Sequence, residues 1–205
     1  MMSHVNSVLS SEALARLASA TVGIAGAGGL GSNCAMHLAR MGVKRFVIAD
    51  HDRVESSNLN RQFFFAHQLG MRKVEALRVN LLAITADLTL EIHPTFITSA
   101  NVGELFDGCD AVVEALDGVE GKQLMAECYF RKGTFLVSAS GIGGWGDADR
   151  IATRQVTERF YMVGDGVSEV NETTPPLSAM VGIAAAKQAD LVFSYLISNR
   201  QVEGE

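Results

Sequence analysis

Gly26-Ala27-Gly28-Gly29-Leu30-Gly31 decides the fold. Directly before it, Val22-Gly23-Ile24-Ala25 reads as a short buried strand. After it, residues 30–41 place Leu30, Cys34, Leu38 and Met41 at helical spacing. Gly42 stops that helix as a C-cap. Arg45-Phe46-Val47-Ile48-Ala49 forms the next strand and ends at Asp50. Glycines at the strand-to-helix turn of such a unit mark a doubly wound nucleotide fold. Gly28 and Gly29 let the backbone come close to a phosphate, and the helix N-terminus adds free N–H groups and partial positive charge. Gly26, Gly28, Gly29 and Gly31 are therefore candidate nucleotide-binding residues. The glycine pattern alone is a weak signal, because glycines also serve tight turns.

The segment that follows is more specific. Asp50 stands about 20 residues past the turn, where a carboxylate can accept hydrogen bonds from a ribose; the bland alternative is a solvated strand-end acid. Asn58 and Arg61 lie just beyond it on an irregular stretch, and Lys73 opens the next helix. A lone Arg or Lys is usually a surface cation. Cations directly after a nucleotide fingerprint suit a triphosphate better than a dinucleotide. Asp117 ends another strand, so it belongs to the carboxyl edge where ligands bind in such sheets. A carboxylate there can hold Mg²⁺, which needs one or two protein oxygens plus phosphates. The alternative for Asp117 is a helix N-terminal acid.

Strand and helix patterns alternate to about residue 140. A helix capped by Ser10 and Ser11 runs before Thr21. Helices are expected over residues 72–84, 100–106 and 122–131, and strands over 88–92, 111–116 and 134–138. The alternation implies a Rossmann-like, doubly wound, mostly parallel α/β sheet. Residues 141–149 are glycine-rich. Residues 151–156 and 160–163 then read as a small antiparallel C-terminal extension at the sheet edge. Residues 177–197 form one long helix that is apolar almost all round, packed in the core or at a dimer interface.

The chain has 205 residues, 48% of them apolar, enough for one sizeable core, and residues 1–205 are taken as one domain. A formal charge of −6 gives no electrostatic footprint for nucleic acid. Cys34, Cys109 and Cys128 are isolated, so no zinc is expected and they read as buried inert thiols of a reducing compartment. The apolar runs, broken by Lys187 and Asp190, are read as too short to span a bilayer, and no signal peptide is expected at the N-terminus. A cytoplasmic protein without membrane contact is expected. His37, His51, His67 and His93 show no metal spacing. Trp145, among glycines, either closes over a ligand or anchors a loop.

Taken together, Gly-x-Gly-Gly-Leu-Gly, then Asp50-x-Asp52-x-Val54-x-x-Ser57-Asn58-Leu59-Asn60-Arg61-Gln62, then Gly70-Met71-Arg72-Lys73-Val74-Glu75-Ala76 resemble the ThiF/MoeB/HesA superfamily, bacterial relatives of ubiquitin-activating enzymes. Ala139-Ser140-Gly141 and Tyr161-Met162-Val163-Gly164-Asp165 are similar to pieces of the short ThiF-family proteins linked to thiamine biosynthesis. The resemblance implies ATP-dependent adenylation of a ubiquitin-like sulfur carrier protein at its C-terminal Gly-Gly, with release of pyrophosphate. It implies that Gly29, Asp50 and Asp52 belong to the nucleotide site. Asn58, Arg61 and Lys73 would contact phosphates, and Asp117 would be the Mg²⁺-linked aspartate. Arg61, Lys73 and Asp117 are thus the expected catalytic residues, ATP and Mg²⁺ the expected cofactors, and a homodimer the expected assembly. The chain departs from larger members in lacking an alignable N-terminal arginine (Arg16 is a poor substitute), in Gly118 where Asn is common, and in lacking cysteine pairs. Residues 164–176 contain no cysteine, so a separate sulfur donor is expected.

Two other readings share the fold. An NAD-dependent oxidoreductase would use the same glycines, but nothing resembles a hydride-transfer site and Arg61 and Lys73 would lack a purpose. A catalytically silent nucleotide-binding scaffold would follow from the missing arginine and zinc.

Overall fold

The protein is described by a computed structural model over residues 8–198. The sheet is built outward from β1 (Thr21–Ala25), whose Val22, Ile24 and Ala25 are fully buried. It pairs in parallel with β2 (Arg45–Ala49) on one side and β4 (Ala111–Glu114) on the other. β3 (Thr89–His93) flanks β2, and β5 (Phe135–Ala139) flanks β4. β7 (Phe160–Gly164) joins β5 in parallel, and β6 (Ala152–Thr157) closes the edge antiparallel to β7. The resulting order is β3-β2-β1-β4-β5-β7-β6. The expected hairpin extension is present, and its second strand docks parallel to the main sheet. The chain reverses direction of winding between β1 and β4, so the ligand crevice of a doubly wound sheet opens there.

Among the described residues, six α-helices cover the two faces. α1 (Ser11–Ser19), α2 (Gly29–Met41), α3 (Lys73–Ile84) and α6 (Ser178–Ile197) share one apolar cluster with Val22, Ile24, Phe46, Ile48 and Val113. α4 (Val102–Leu105) and α5 (Val119–Lys132) supply Val102, Met125 and Tyr129 to a second cluster beneath Ala25, Val112 and Leu136. Alternate residues of each strand thus serve opposite layers, the period-two rule of a sheet buried on both faces. Ser10 caps α1 through the Ala13 N–H at 3.2 Å, and Gly42 takes the left-handed conformation at φ 106° to end α2.

Helix α6 corrects one expectation. It runs 20 residues and is long and apolar enough, by length and composition, to cross a membrane. Here its alanine-rich face packs on α2, and Tyr195 stacks on Phe135 of β5 at 4.1 Å. Its buried Gln188 donates to the Glu114 carbonyl at 3.2 Å, and Lys187 donates to the Ile151 carbonyl. These contacts give it the role of a core helix.

Two boundaries moved for a shared reason. β4 stops at Glu114, short of residue 116, and α5 starts at Val119, ahead of residue 122. The Glu114 side chain turns back to accept the Leu116 N–H at 2.6 Å, which ends the strand. Asp117 therefore lies in a turn, with Gly118 as the N-cap of α5. At the far edge, β6 exposes all but one of its residues, and its register shifts between Gln155 and Thr157.

Candidate functional site

The glycine turn is held from below and behind. Gly26 sits at φ +95°, donates its N–H to the Ala49 carbonyl at 2.8 Å, and lies so close to the Ala115 carbonyl that a Cβ would come within 2.7 Å. A Cβ on Gly31 would fall 1.8 Å from the Gly26 carbonyl oxygen, so only glycine fits the return of the chain into α2. Asp50, 9% exposed, accepts the Ala27 N–H through Oδ2 at 2.6 Å and the Asp52 N–H through Oδ1 at 2.7 Å. The first turn of α2 binds the next segment. Ser32 Oγ donates to the Gly28 carbonyl at 2.6 Å and accepts the Phe63 N–H at 3.0 Å. Asn33 Nδ2 donates to the carbonyls of Gly29 and Arg61 at 2.6 and 2.8 Å.

Above the turn lies a cavity of about 530 Å³. Its walls come from Gly26 and Gly28, from Asp50, His51 and Asp52 after β2, from residues 95–99 after β3, and from residues 115–118 after β4. Lys73 reaches it from the start of α3. Its ammonium donates to Asp52 Oδ2 at 2.7 Å with the side chain only 7% exposed, and its backbone N–H bonds the Asp52 carbonyl at 2.9 Å. A buried lysine requires such a partner, and this one lines the cavity beside the glycine turn. His51 Nε2 stands 3.1 Å from Asp52 Oδ1, and its ring packs edge-on to Phe96 at 4.6 Å. Ligand atoms of Asp50, His51 and Asp52 lie within 4.8 Å of one another. The Asp50 oxygens accept backbone N–H groups and those of Asp52 face Lys73 and His51, so these contacts shape the turn.

Of the residues singled out in the sequence, Gly26, Gly28, Asp50, Asp52, Lys73 and Asp117 line the cavity. Gly31 lies under the turn. Gly29 backs onto Val181 and the aliphatic part of Arg61. Asn58, buried, accepts the Glu55 N–H at 3.1 Å and caps the 3₁₀ turn Ser56–Asn58. Arg61 rests its guanidinium on the Ser57 carbonyl and Asn60 Oδ1, both at 2.9 Å. Its stem lies against Gly29, and Arg61 is outside the cavity lining.

Residues not anticipated are His51 and Phe96 in the wall, Ser32 and Asn33 beneath the 61–63 segment, and Glu114 with Lys122 at the end of β4. Position beside Asp50 could have flagged His51; nothing in residues 94–99 sets Phe96 apart from a loop. Trp145 is 65% exposed and lies outside the cavity lining, so it is not anchored in the core. Arg16 Nη2 donates to the Ile197 carbonyl at 2.6 Å and ties α1 to the end of α6. The thiols of Cys34 and Cys109 are pushed up by burial, the latter to about 12, with neighbouring carboxylates adding to the shift at Cys109. Both are inert at neutral pH. Beyond the cavity, Arg150 pairs with Asp165, Ser168 and the Gly143 carbonyl. Burial acts to raise the Asp165 pKa. The Ser168 hydroxyl, the N–H groups of Ser168 and Val167, and Arg150 outweigh burial and hold it at about 2.

A glycine turn, a strand-end acid and a buried lysine surround one cavity at the switch point of a doubly wound α/β domain. The profile of the ThiF family matches residues 2–203, and the chain belongs to that family. It is 30% identical over 200 residues to the adenylyltransferase and sulfurtransferase MOCS3 of Anopheles gambiae, covering 91% of this chain and 44% of that one. It is 35% identical over 118 residues to ubiquitin-like modifier-activating enzyme 5 of Caenorhabditis elegans, covering 52% and 28%. The chain thus spans less than half the length of these curated relatives. Among solved structures, the E. coli tRNA N6-threonylcarbamoyladenosine dehydratase TcdA in complex with ATP superposes with a TM-score of 0.89 at 20% identity, covering 98% of this chain and 95% of that one. E. coli MccB with ATP superposes with a TM-score of 0.73 at 20% identity, covering 91% and 58%.

Proposed function

We propose that this chain is an ATP-dependent adenylyltransferase that activates the C-terminal glycine carboxylate of a small ubiquitin-like sulfur carrier protein. The observation that carries the reading is Lys73: a buried ammonium, held by Asp52, facing the same cavity as the glycine turn and Asp50. The carrier carboxylate has a pKa of about 3.5, so it attacks without a general base. One carboxylate oxygen bonds to the α-phosphorus, the bond from that phosphorus to the β-phosphate oxygen breaks, and pyrophosphate leaves with the electron pair. The obstacle is repulsion between two anions. Lys73, Arg61 after its head rotates, and the N–H groups at the start of α2 answer it. Asp117 is exposed in the cavity wall, and one carboxylate with triphosphate oxygens is a donor set that suits Mg²⁺. The ion would supply further charge neutralisation on the phosphates.

Family membership supports the chemistry, and the Ala139-Ser140-Gly141 and Tyr161-to-Asp165 pieces support a carrier of the thiamine type. The absence of cysteine from residues 164–176 supports a separate sulfur donor. We place the enzyme in the cytoplasm as a homodimer. ATP–pyrophosphate exchange with Gly-Gly-ended carriers tests the activity, and calorimetry with ATP and NAD tests the ligand. Exchange with at least one carrier is expected; binding of NAD in preference to ATP, or silence with every carrier, overturns the reading.

A further inference from the structure

Glu114 is fully buried, yet no step of the proposed reaction uses it. Its surroundings show what it does. Parallel pairing of β4 with β5 ends at Val113 and Val137. Beyond that point side chains take over from the ladder. The Ser138 hydroxyl donates to Glu114 Oε2, and Lys122 Nζ donates to both Glu114 oxygens at 3.2 Å and to the Ala139 carbonyl at 2.9 Å. Glu114 Oε1 also accepts the Leu116 N–H at 2.6 Å. On its other side, β4 is fastened to β1 through Ala115 N–H to the Ala25 carbonyl at 2.8 Å, and Gly26 rests on the Ala115 carbonyl. One polar staple thus joins β4, β5 and α5 directly under the turn that carries Leu116 and Asp117 into the cavity wall.

We infer that Glu114 and Lys122 are positioning residues that fix the Leu116–Asp117 turn against the glycine turn, so that Asp117 faces the phosphate region of a bound nucleotide. This rests on the adenylation reading for the identity of the nucleotide. A salt bridge serving stability alone could equally be a hydrophobic pair, since buried ion pairs return little net stability. What an apolar pair could not do is supply the acceptor that the Leu116 N–H needs while bridging to β5.

The test measures ATP affinity by calorimetry with Mg²⁺ and with EDTA, beside thermal melting, for the whole chain. In the wild type, Mg²⁺ is expected to tighten ATP binding at least tenfold. Lys122→Met should lose that gain, as Asp117→Asn should, while affinity in EDTA falls less than threefold. Lys122→Arg, which keeps the charge, should restore the gain to within threefold of wild type. Because Lys122→Met leaves Glu114 buried without its cation, Ser138→Ala serves as a second probe that keeps both charges; at least a threefold loss of the gain is expected. A full Mg²⁺ gain in Ser138→Ala together with Lys122→Met, or equal losses with and without Mg²⁺, overturns the inference and leaves the adenylation reading intact. A wild type that binds no ATP overturns that reading instead.

Discussion

Asp50→Ala should lower stability before any nucleotide is added. Asp50 accepts the Ala27 N–H at 2.6 Å and the Asp52 N–H at 2.7 Å. A hydrogen bond to a charged acceptor contributes about 1.5–3 kcal/mol net. Ala27 is fully buried, so its orphaned N–H carries the whole penalty. The Asp52 N–H is partly buried, and water can replace about half of what it loses. Together these give a loss of about 3 kcal/mol. For a chain of this size each kcal/mol corresponds to about 2–4 °C in Tm, so Asp50→Ala should melt about 6–12 °C below wild type. Asp50→Asn should fall between, because one of its two oxygens becomes an N–H donor facing a backbone N–H. The assay is thermal unfolding by circular dichroism without ligand, then with saturating ATP. At 100 times its Kd a ligand adds about 2.7 kcal/mol to the native state; Asp50→Ala should gain much less at the same concentration. Unfolding of Asp50→Ala within 2 °C or so of wild type, without ligand, would refute the reasoning.

Lys73→Ala or Arg61→Ala should lower ATP–pyrophosphate exchange at least tenfold, or about 1.4 kcal/mol of transition-state stabilisation. Arg61→Ala should do so with little change in melting, since its partners are exposed and such contacts contribute little; unchanged exchange in both variants contradicts the assignment. Gly31→Ala should abolish cooperative folding or drop Tm by more than about 10 °C, because the added methyl would overlap the Gly26 carbonyl; a melt like that of wild type would show that α2 can shift. Asp165 is held at about 2, below its ordinary value, so it favours the native state above pH 4 or so and this contribution is lost as pH falls toward 2. Urea unfolding of Asp165→Asn should accordingly show lower stability at pH 7 and a shallower acid decline between pH 4 and 2, and parallel curves for the two proteins would exclude that role.

Strands such as Arg45–Ala49 were legible because a short apolar run with β-branched and aromatic residues, bounded by turn residues, suits a strand buried on both faces of a parallel sheet. The glycine turn was legible for the same kind of reason: its spacing is dictated by backbone closeness, which is local. The end of β4 was not. Glu114 in Val112-Val113-Glu114-Ala115 reads as one more strand position, and only Lys122 and Ser138, brought from other elements, explain how it is buried. Gly118 and Gly121 likewise look like breakers, yet Gly118 caps α5 and Gly121 lies within it. The motif containing Asn58 and Arg61 identified the segment, but the sequence cannot say where the heads point. That direction depends on Ser57, Asn60 and Glu55 when no anion competes. The wall formed by Phe96 had no periodic signal, because its position is set by Asn101, whose Nδ2 donates to the Phe96 carbonyl at 2.9 Å.

The outer strand β6 has a practical consequence for handling the protein. A bare rim of backbone donors and acceptors invites a second extended chain to add itself. Here the register slip between Gln155 and Thr157 and the charged head of Arg154 blunt that invitation. Replacing Arg154 and Gln155 with valine would leave an uncharged ribbon with three consecutive valines at 154–156, and concentrated solutions of such a variant should turn cloudy while the native chain stays clear.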